Sequence, residues 1–171
     1  FVPLRPTQIA AEIIEGERAE IYEELDKDYV SGITFSGGDP LHPANITEVT
    51  AFAKEIRKRY PGKTIWLYTG FLWEEICKEE IVRYLDVCVD GEFEVDKKEL
   101  SLKWKGSSNQ RVIDVPKTLH EGKVVLQNKK YTGSSSMRQV YLNCFFTESV
   151  SDDHKILLLF TPFTERSQNS F

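Results

Sequence analysis

Gly-Ile-Thr-Phe-Ser-Gly-Gly-Asp-Pro-Leu-His-Pro, residues 32–43, is the stretch on which the fold turns. A short β-branched and aromatic run, Ile33-Thr34-Phe35, stops abruptly at Ser36-Gly37-Gly38. Asp39-Pro40 follow, and a helical pattern begins soon after. This reads as a strand that delivers a bare backbone loop to the edge of a sheet, where a small ligand can approach main-chain groups closely. Gly37-Gly38 alone also fits a tight strand-to-helix turn, so its neighbours decide. No Gly-Lys-Ser/Thr follows, which excludes a P-loop, and the absence of Gly-x-Gly-x-x-Gly excludes a dinucleotide fingerprint. Exposed carbonyls beside the Asp39 carboxylate accept hydrogen bonds, so they suit an ammonium group better than a phosphate.

Working outward, the front half alternates helix and strand signals. Thr7 can cap a helix carrying Ile9, Ala10, Ile13 and Ile14, with Gly16 as its break; a second amphipathic stretch runs from Glu17 to Asp26. After the first strand, Asn45 with Glu48 three residues on is close to a capping box. Ile46, Val49, Phe52, Ala53 and Ile56 form the apolar stripe of that helix, and Pro61-Gly62 ends it. Thr64 to Tyr68 reads as a second strand stopping at Thr69-Gly70. A helical region over about Trp73 to Tyr84 precedes a third strand, Leu85 to Val89, stopping at Asp90-Gly91. Strands separated by helices predict crossover connections and a parallel sheet. In such architectures ligands bind at the carboxyl ends of the strands, which gives Gly37-Gly38, Thr69-Gly70 and Asp90-Gly91 a common address.

Further on, Gly106 to Arg111 reads as a polar turn feeding a short strand, Val112 to Val115, and Lys123 to Leu126 is another strand candidate. Gly133-Ser134-Ser135-Ser136 is linker-like. Tyr141 to Phe146 and Ile156 to Phe160 are apolar runs without helical phase, so the tail is either two extra strands or sequence with no selected fold. The expected organisation is therefore a domain over 1–126 and a tail of uncertain structure over 127–171.

At 171 residues the chain supports one domain with a real core. A net charge of −5 argues against a basic nucleic-acid footprint, and Lys54, Arg57, Lys58 and Arg59 read as the solvated face of a helix. The run Ile156 to Phe160 is far too short to span a bilayer. Cys77, Cys88 and Cys144 are scattered, which fits a reducing cytoplasm rather than a disulfide framework, and the first two read as small buried hydrophobes. His42, His120 and His154 are equally dispersed, so no local zinc motif exists. Asp86, Asp90, Glu92 and Glu94 lack the order of a calcium loop and read as strand-end and surface charge. Ser36 has no paired His in a recognised hydrolase pattern.

Four segments carry a family resemblance when taken in order: residues 32–43, Pro-Gly-Lys-Thr-Ile-Trp-Leu-Tyr-Thr-Gly-Phe (61–71), Val-Asp-Gly-Glu-Phe (89–93) and Trp-Lys-Gly-Ser-Ser-Asn-Gln-Arg (104–111). Together they resemble the anaerobic ribonucleoside-triphosphate reductase activating proteins, small radical-SAM activases, over about Leu25 to Leu126. The resemblance implies an iron–sulfur enzyme that cleaves S-adenosylmethionine at a [4Fe–4S] cluster. The resulting radical would take a hydrogen atom from a glycine of the reductase large subunit, the implied partner. It implies a shortened α/β fold: a parallel-stranded open partial barrel of the radical-SAM type, here missing its first strand. Gly37, Gly38, Asp39 and Pro40, with Ser36 before them, correspond to the segment that holds the methionine ammonium; Thr69 and Gly70 would border the same cofactor. Gly106 to Arg111 would contact the reductase or close the barrel edge. A cytoplasmic location follows, with neither nucleic acid nor membrane as partner.

The chain departs from that pattern at one point. The family binds its cluster through a C-x-x-x-C-x-x-C loop upstream of the Gly-Gly segment, because soft thiolates hold such clusters. No cysteine precedes Gly37 here, so no catalytic residue and no metal ligand is assigned in this chain. The chain does not begin with Met, and the expectation is a fragment whose first strand and cluster loop lie before Phe1. An open sheet lacking that strand would expose an edge beside Gly32 to Phe35. A tail strand covering some exposed edge, not a specified one, is a further expectation. Two readings remain: a radical-SAM activase part, or a non-catalytic module that binds S-adenosylmethionine or the reductase. A generic α/β domain of unknown ligand is the remainder.

Overall fold

The computed structural model describes residues 18–128 and, as backbone, the strands at 138–147 and 155–161. The helix expected from Thr7 lies outside the described residues. The second amphipathic stretch is helical over 18–25 (α1), with Ile21 and Leu25 buried. β1 (Val30–Gly37) follows, then α2 (Ile46–Arg59), β2 (Thr64–Tyr68), the short α3 (Trp73–Ile76), β3 (Val87–Asp90), β4 (Arg111–Asp114) and α4 (Val115–Glu121). β5 (Arg138–Thr147) and β6 (Lys155–Thr161) complete one open sheet of order β4-β3-β2-β1-β5-β6.

The chain is thus an α/β protein with a mainly parallel, unclosed sheet. β1 pairs in parallel with β2, and β2 with β3, as the alternation predicts. β4 and β6 are antiparallel to their neighbours β3 and β5, which the expectation of a purely parallel sheet did not include. Of the two readings left open for the tail, strands are what forms at 138–147 and 155–161. β5 lies in parallel along the outer edge of β1, the edge expected to need cover.

Strand alternation separates two faces. Ile33 and Phe35, Ile65 and Leu67, Cys88 and Ile113 form one buried row with Val49, Phe52, Ala53 and Ile56 of α2. Thr34, Trp66 and Val87 occupy the opposite row, where Trp104 lies 5.2 Å from Trp66 between ring centroids. β1 and β2 approach unusually closely at Gly32: a Cβ there would stand 2.0 Å from the Thr64 carbonyl oxygen. Only glycine fits.

Four local readings are corrected. Asn45 precedes α2, but its side chain makes no capping bond; Nδ2 donates to the Asp39 carbonyl at 2.9 Å instead. The helix expected over 73–84 is two pieces, α3 and a 3₁₀ turn at Glu80–Tyr84, because Ile76, Ile81, Val82 and Leu85 all turn into the core. Lys123 to Leu126 forms only a single bridge, Leu126 to Ile113. Arg57 is likewise not a solvated cation. It is half-buried and donates to the Tyr84 carbonyl at 2.7 Å and to Asp86, which also accepts the Ile65 N–H at 2.7 Å.

Candidate functional site

The carboxyl ends of β1, β2 and β3 meet at one edge of the sheet, and one side chain joins two of them. Asp39, just past β1, accepts the Leu41 N–H at 2.9 Å, which closes its own turn. Its carboxylate also accepts the Thr69 hydroxyl at 2.9 and 3.0 Å and the Gly70 N–H at 2.8 Å. A carboxylate holding backbone and hydroxyl donors from two loops is a strong local tie, since charged acceptors make the stronger hydrogen bonds. The sequence grouped Ser36, Gly37, Gly38, Asp39, Pro40, Thr69 and Gly70 as binding residues. The structure brings them together, but turns Asp39 inward to hold the loops in place.

Backbone is what remains open. Gly37 and Gly38 are exposed, and Gly37 has φ 92°, a conformation that favours glycine. Pro40 and Thr69 are buried beneath them, Ser36 is half-buried, and Gly70 is exposed with the Asp39 carboxylate beside it. β3 contributes Gly91, φ 94°, whose N–H donates to the Phe71 carbonyl at 3.1 Å and so joins the third strand end to the second. The edge can therefore present main-chain groups to a ligand, while the one carboxylate is already occupied by donors.

A second group, which sequence reasoning read as surface charge, underlies this edge. Asp90 is fully buried; it accepts the Trp73 N–H at 2.8 Å and the Arg111 Nε at 3.1 Å. Arg111 also donates to Glu74 at 2.8 and 3.1 Å. Its guanidinium holds the Glu74 carboxyl below the usual carboxylate range, and Asp90 and then Glu74 hold Arg111 firmly protonated. No local motif announces this cluster, because its members are 16 to 37 positions apart. Arg111 facing Asp90 across the β3–β4 register is the only signal, and register is not visible before the strands are paired.

Gly106 to Arg111 is not a free polar turn. Gln110 is buried; its Oε1 accepts the Gly106 and Ser107 N–H groups at 2.9 and 3.2 Å, and its Nε2 donates to the Gly91 carbonyl at 3.0 Å. Asn109 donates to the Glu92 carbonyl at 2.8 Å. The segment is pinned to the loop after β3 and closes the β4 side of the sheet. Beside it lies an open groove of about 580 Å³ lined by Lys103, Trp104, Lys105, Arg111, Val112 and Leu126, among others.

The fold and this edge define a class: an open, mainly parallel α/β protein whose strands β1 to β3 end at an edge of bare glycine backbone. A family model for a 4Fe-4S single cluster domain matches residues 5–113, and the chain belongs to that family. Curated relatives named anaerobic ribonucleoside-triphosphate reductase-activating protein bear out the resemblance. The protein of Enterobacteria phage T4 is 41% identical over 93 residues, covering 54% of this chain and 59% of the relative. That of Pasteurella multocida (strain Pm70) is 38% identical over 102 residues, covering 56% and 65%. That of Escherichia coli (strain K12) is 46% identical over 83 residues, covering 47% and 54%. The chain thus spans between 54% and 65% of the length of these relatives. No solved structure matches it.

The family's cluster needs soft donors gathered at one place. The described thiols do not fit it. Cys88 sits in the helix-facing core, where burial pushes its thiol well above the ordinary value; Cys77 lies half-buried at the end of α3. Among the described residues no group of three or more His, Cys, Asp or Glu could hold a metal ion, and no helix is long and apolar enough to cross a membrane. The two thiols should differ chemically, since the reactive species is the thiolate. Iodoacetamide is expected to modify Cys77 in the native protein and Cys88 only after denaturation. Native labelling of Cys88, read by peptide mass mapping, would contradict its position in the core.

Proposed function

We propose that this chain is the S-adenosylmethionine-holding part of a radical-SAM activase that serves anaerobic ribonucleoside-triphosphate reductase. The observation that carries the reading is the exposed Gly37-Gly38 backbone at the carboxyl end of β1, held against Thr69-Gly70 by Asp39. In this reading the methionine ammonium is held by main-chain carbonyls at the Ser36–Gly38 turn. Asp39 acts as a positioning residue, because its carboxylate is already engaged by Leu41, Thr69 and Gly70. Thr69 and Gly70 form the second wall. The cofactor supplies the radical chemistry in this family, and the described residues bind and orient it. The open sheet corresponds to a partial barrel of the radical-SAM type. The large subunit of the reductase is the proposed partner, and the cytoplasm the proposed location.

A second reading, a non-catalytic module that binds the cofactor or the reductase, is favoured by one specific observation. The described thiols are buried or isolated and do not form a cluster site.

Titration calorimetry of S-adenosylmethionine into the wild-type chain and Gly38→Val tests the shared core of both readings. A branched side chain on the exposed loop should abolish a heat that the wild type shows. Equal heats, or none in either protein, would remove the cofactor from this edge. Anaerobic treatment with iron, sulfide and reductant of a protein that joins this chain to the family's C-x-x-x-C-x-x-C loop then separates the readings: 5′-deoxyadenosine supports the activase, and binding without it supports the module.

A further inference from the structure

The loop after β2 is gripped from two sides. On one side Asp39 holds Thr69 and Gly70. On the other, the Gly91 N–H donates to the Phe71 carbonyl at 3.1 Å, and the buried Asp90 accepts the Trp73 N–H at 2.8 Å. Phe71 links the two sides, because its own N–H donates to the Thr69 hydroxyl at 3.2 Å and that hydroxyl donates to Asp39. Where Thr69-Gly70 stands beside the Gly37-Gly38 loop is therefore set by the end of β3 as well as by Asp39.

Gly91 is in turn held from the β4 side. Its φ of 94° turns the chain out of β3, and a Cβ on it would stand 3.7 Å from the Gln110 Cα and 3.8 Å from a Leu72 methyl. Gln110 is nine-tenths buried, and its carboxamide works in two directions. Oε1 accepts the Gly106 and Ser107 N–H groups, while Nε2 donates to the Gly91 carbonyl at 3.0 Å. An amide alone among near-isosteres offers both an acceptor and a permanent donor here.

We propose that Gln110 is a positioning residue for the ligand edge. By seating the turn at Gly106 and Ser107 on Gly91, it fixes the loop after β2 and, through Thr69 and Asp39, the wall of the Gly37-Gly38 backbone. The effect on ligand binding rests on the reading given under Proposed function; the effect on the loop does not. Gln110 touches neither glycine loop, so it acts through the unbroken series Gln110, Gly91, Phe71, Thr69 and Asp39, in which each hydrogen bond fixes an end of the next.

Gln110→Glu separates the two ends of the amide. It keeps an acceptor for Gly106 and Ser107 at every pH, but offers Gly91 a donor only while its carboxyl is protonated. The charged groups around it are Lys105, whose Nζ donates to the Gln110 carbonyl at 2.8 Å, and the Asp90–Arg111 pair next to it on the ladder. Glu92 and Glu94 follow in the loop after β3, where their backbone meets Asn109 and Ser107. All of these titrate in the wild type too, so each result is read as a ratio to the wild type at the same pH.

Between about pH 5 and about pH 8 the S-adenosylmethionine affinity ratio of Gln110→Glu, read by calorimetry, should fall by about tenfold as the carboxyl loses its proton. Gln110→Ala should be weakened by about tenfold throughout. Amide exchange at Gly70 and Phe71, measured on the same proteins, should accelerate in the same pattern. A Gln110→Glu ratio that does not change with pH overturns the role of the Nε2 donor, and it decides even if the alanine variant fails to fold. Exchange that follows the pattern while affinity stays level overturns the role in binding. Absence of binding in the wild type overturns the proposed function, and exchange at Gly70 and Phe71 then still decides whether Gln110 positions the edge.

Discussion

Gly32→Ala is expected to lower the melting temperature by roughly 10 °C. The added methyl would stand 2.0 Å from the Thr64 carbonyl oxygen and 2.5 Å from its hydroxyl. Neither can retreat cheaply, because Thr64 begins β2 and pairs with Gly32 across the parallel ladder. Overpacking a tight site costs about 1–3 kcal/mol, and a collision with backbone belongs at the upper end. For a chain of this size each kcal/mol moves the midpoint by roughly 2–4 °C. Gly62→Ala is the matched control, since nothing lies within 4 Å of its Cβ, and it should leave the midpoint within about a degree. Thermal unfolding followed by circular dichroism compares the two. Similar midpoints for both variants would mean that the close approach of β1 and β2 is not a constraint.

Asp39→Ala should cost about 2–3 kcal/mol and release two loops from each other. The substitution deletes the acceptor for the Leu41 and Gly70 N–H groups and the Thr69 hydroxyl, and hydrogen bonds to a charged group are worth about 1.5–3 kcal/mol. The loss stays below the sum of those bonds, because Asp39 is only half-buried and water can replace part of what is removed. Asp39→Asn should be milder. It keeps the shape and one acceptor oxygen, but sets an amide donor against a donor from Thr69 or Gly70. Amide exchange at Leu41 and Gly70 should accelerate in both variants, more in alanine, and affinity for S-adenosylmethionine should fall in the same order. Unchanged exchange at Gly70 would show that Thr69-Gly70 is held by something other than Asp39.

Much of this was legible locally, and the limits are instructive. The stripe Val49, Phe52, Ala53 and Ile56 recurs at helical spacing, so α2 and its buried face could be read directly. β1, β2 and β3 are β-branched and aromatic runs that stop at Gly37, Gly70 and Gly91, and their shared edge followed from the alternation with helices. The helical pattern over 73–84 misled because apolar spacing does not distinguish one helix from two short turns that both face the core. Asn45 with Glu48 looked like a cap, yet the Asn45 Nδ2 donates back to the Asp39 carbonyl and its side chain accepts no α2 N–H. Asp90 looked like strand-end charge because its partners, Trp73 and Arg111, come from other elements.

By itself the sequence determined β1, α2, β2 and β3, the glycine-ended loops and the family, because these depend on residues within a few positions of one another. Tertiary structure alone decided that Asp39 ties Thr69-Gly70 to its own turn, and that Arg111 neutralises a buried Asp90. It alone placed Arg138–Thr147 on the outer edge of β1. Hydrogen bonds between residues 21 to 31 positions apart, and strand pairs about 107 apart, are set by how the sheet brings edges together, and no local pattern encodes that distance.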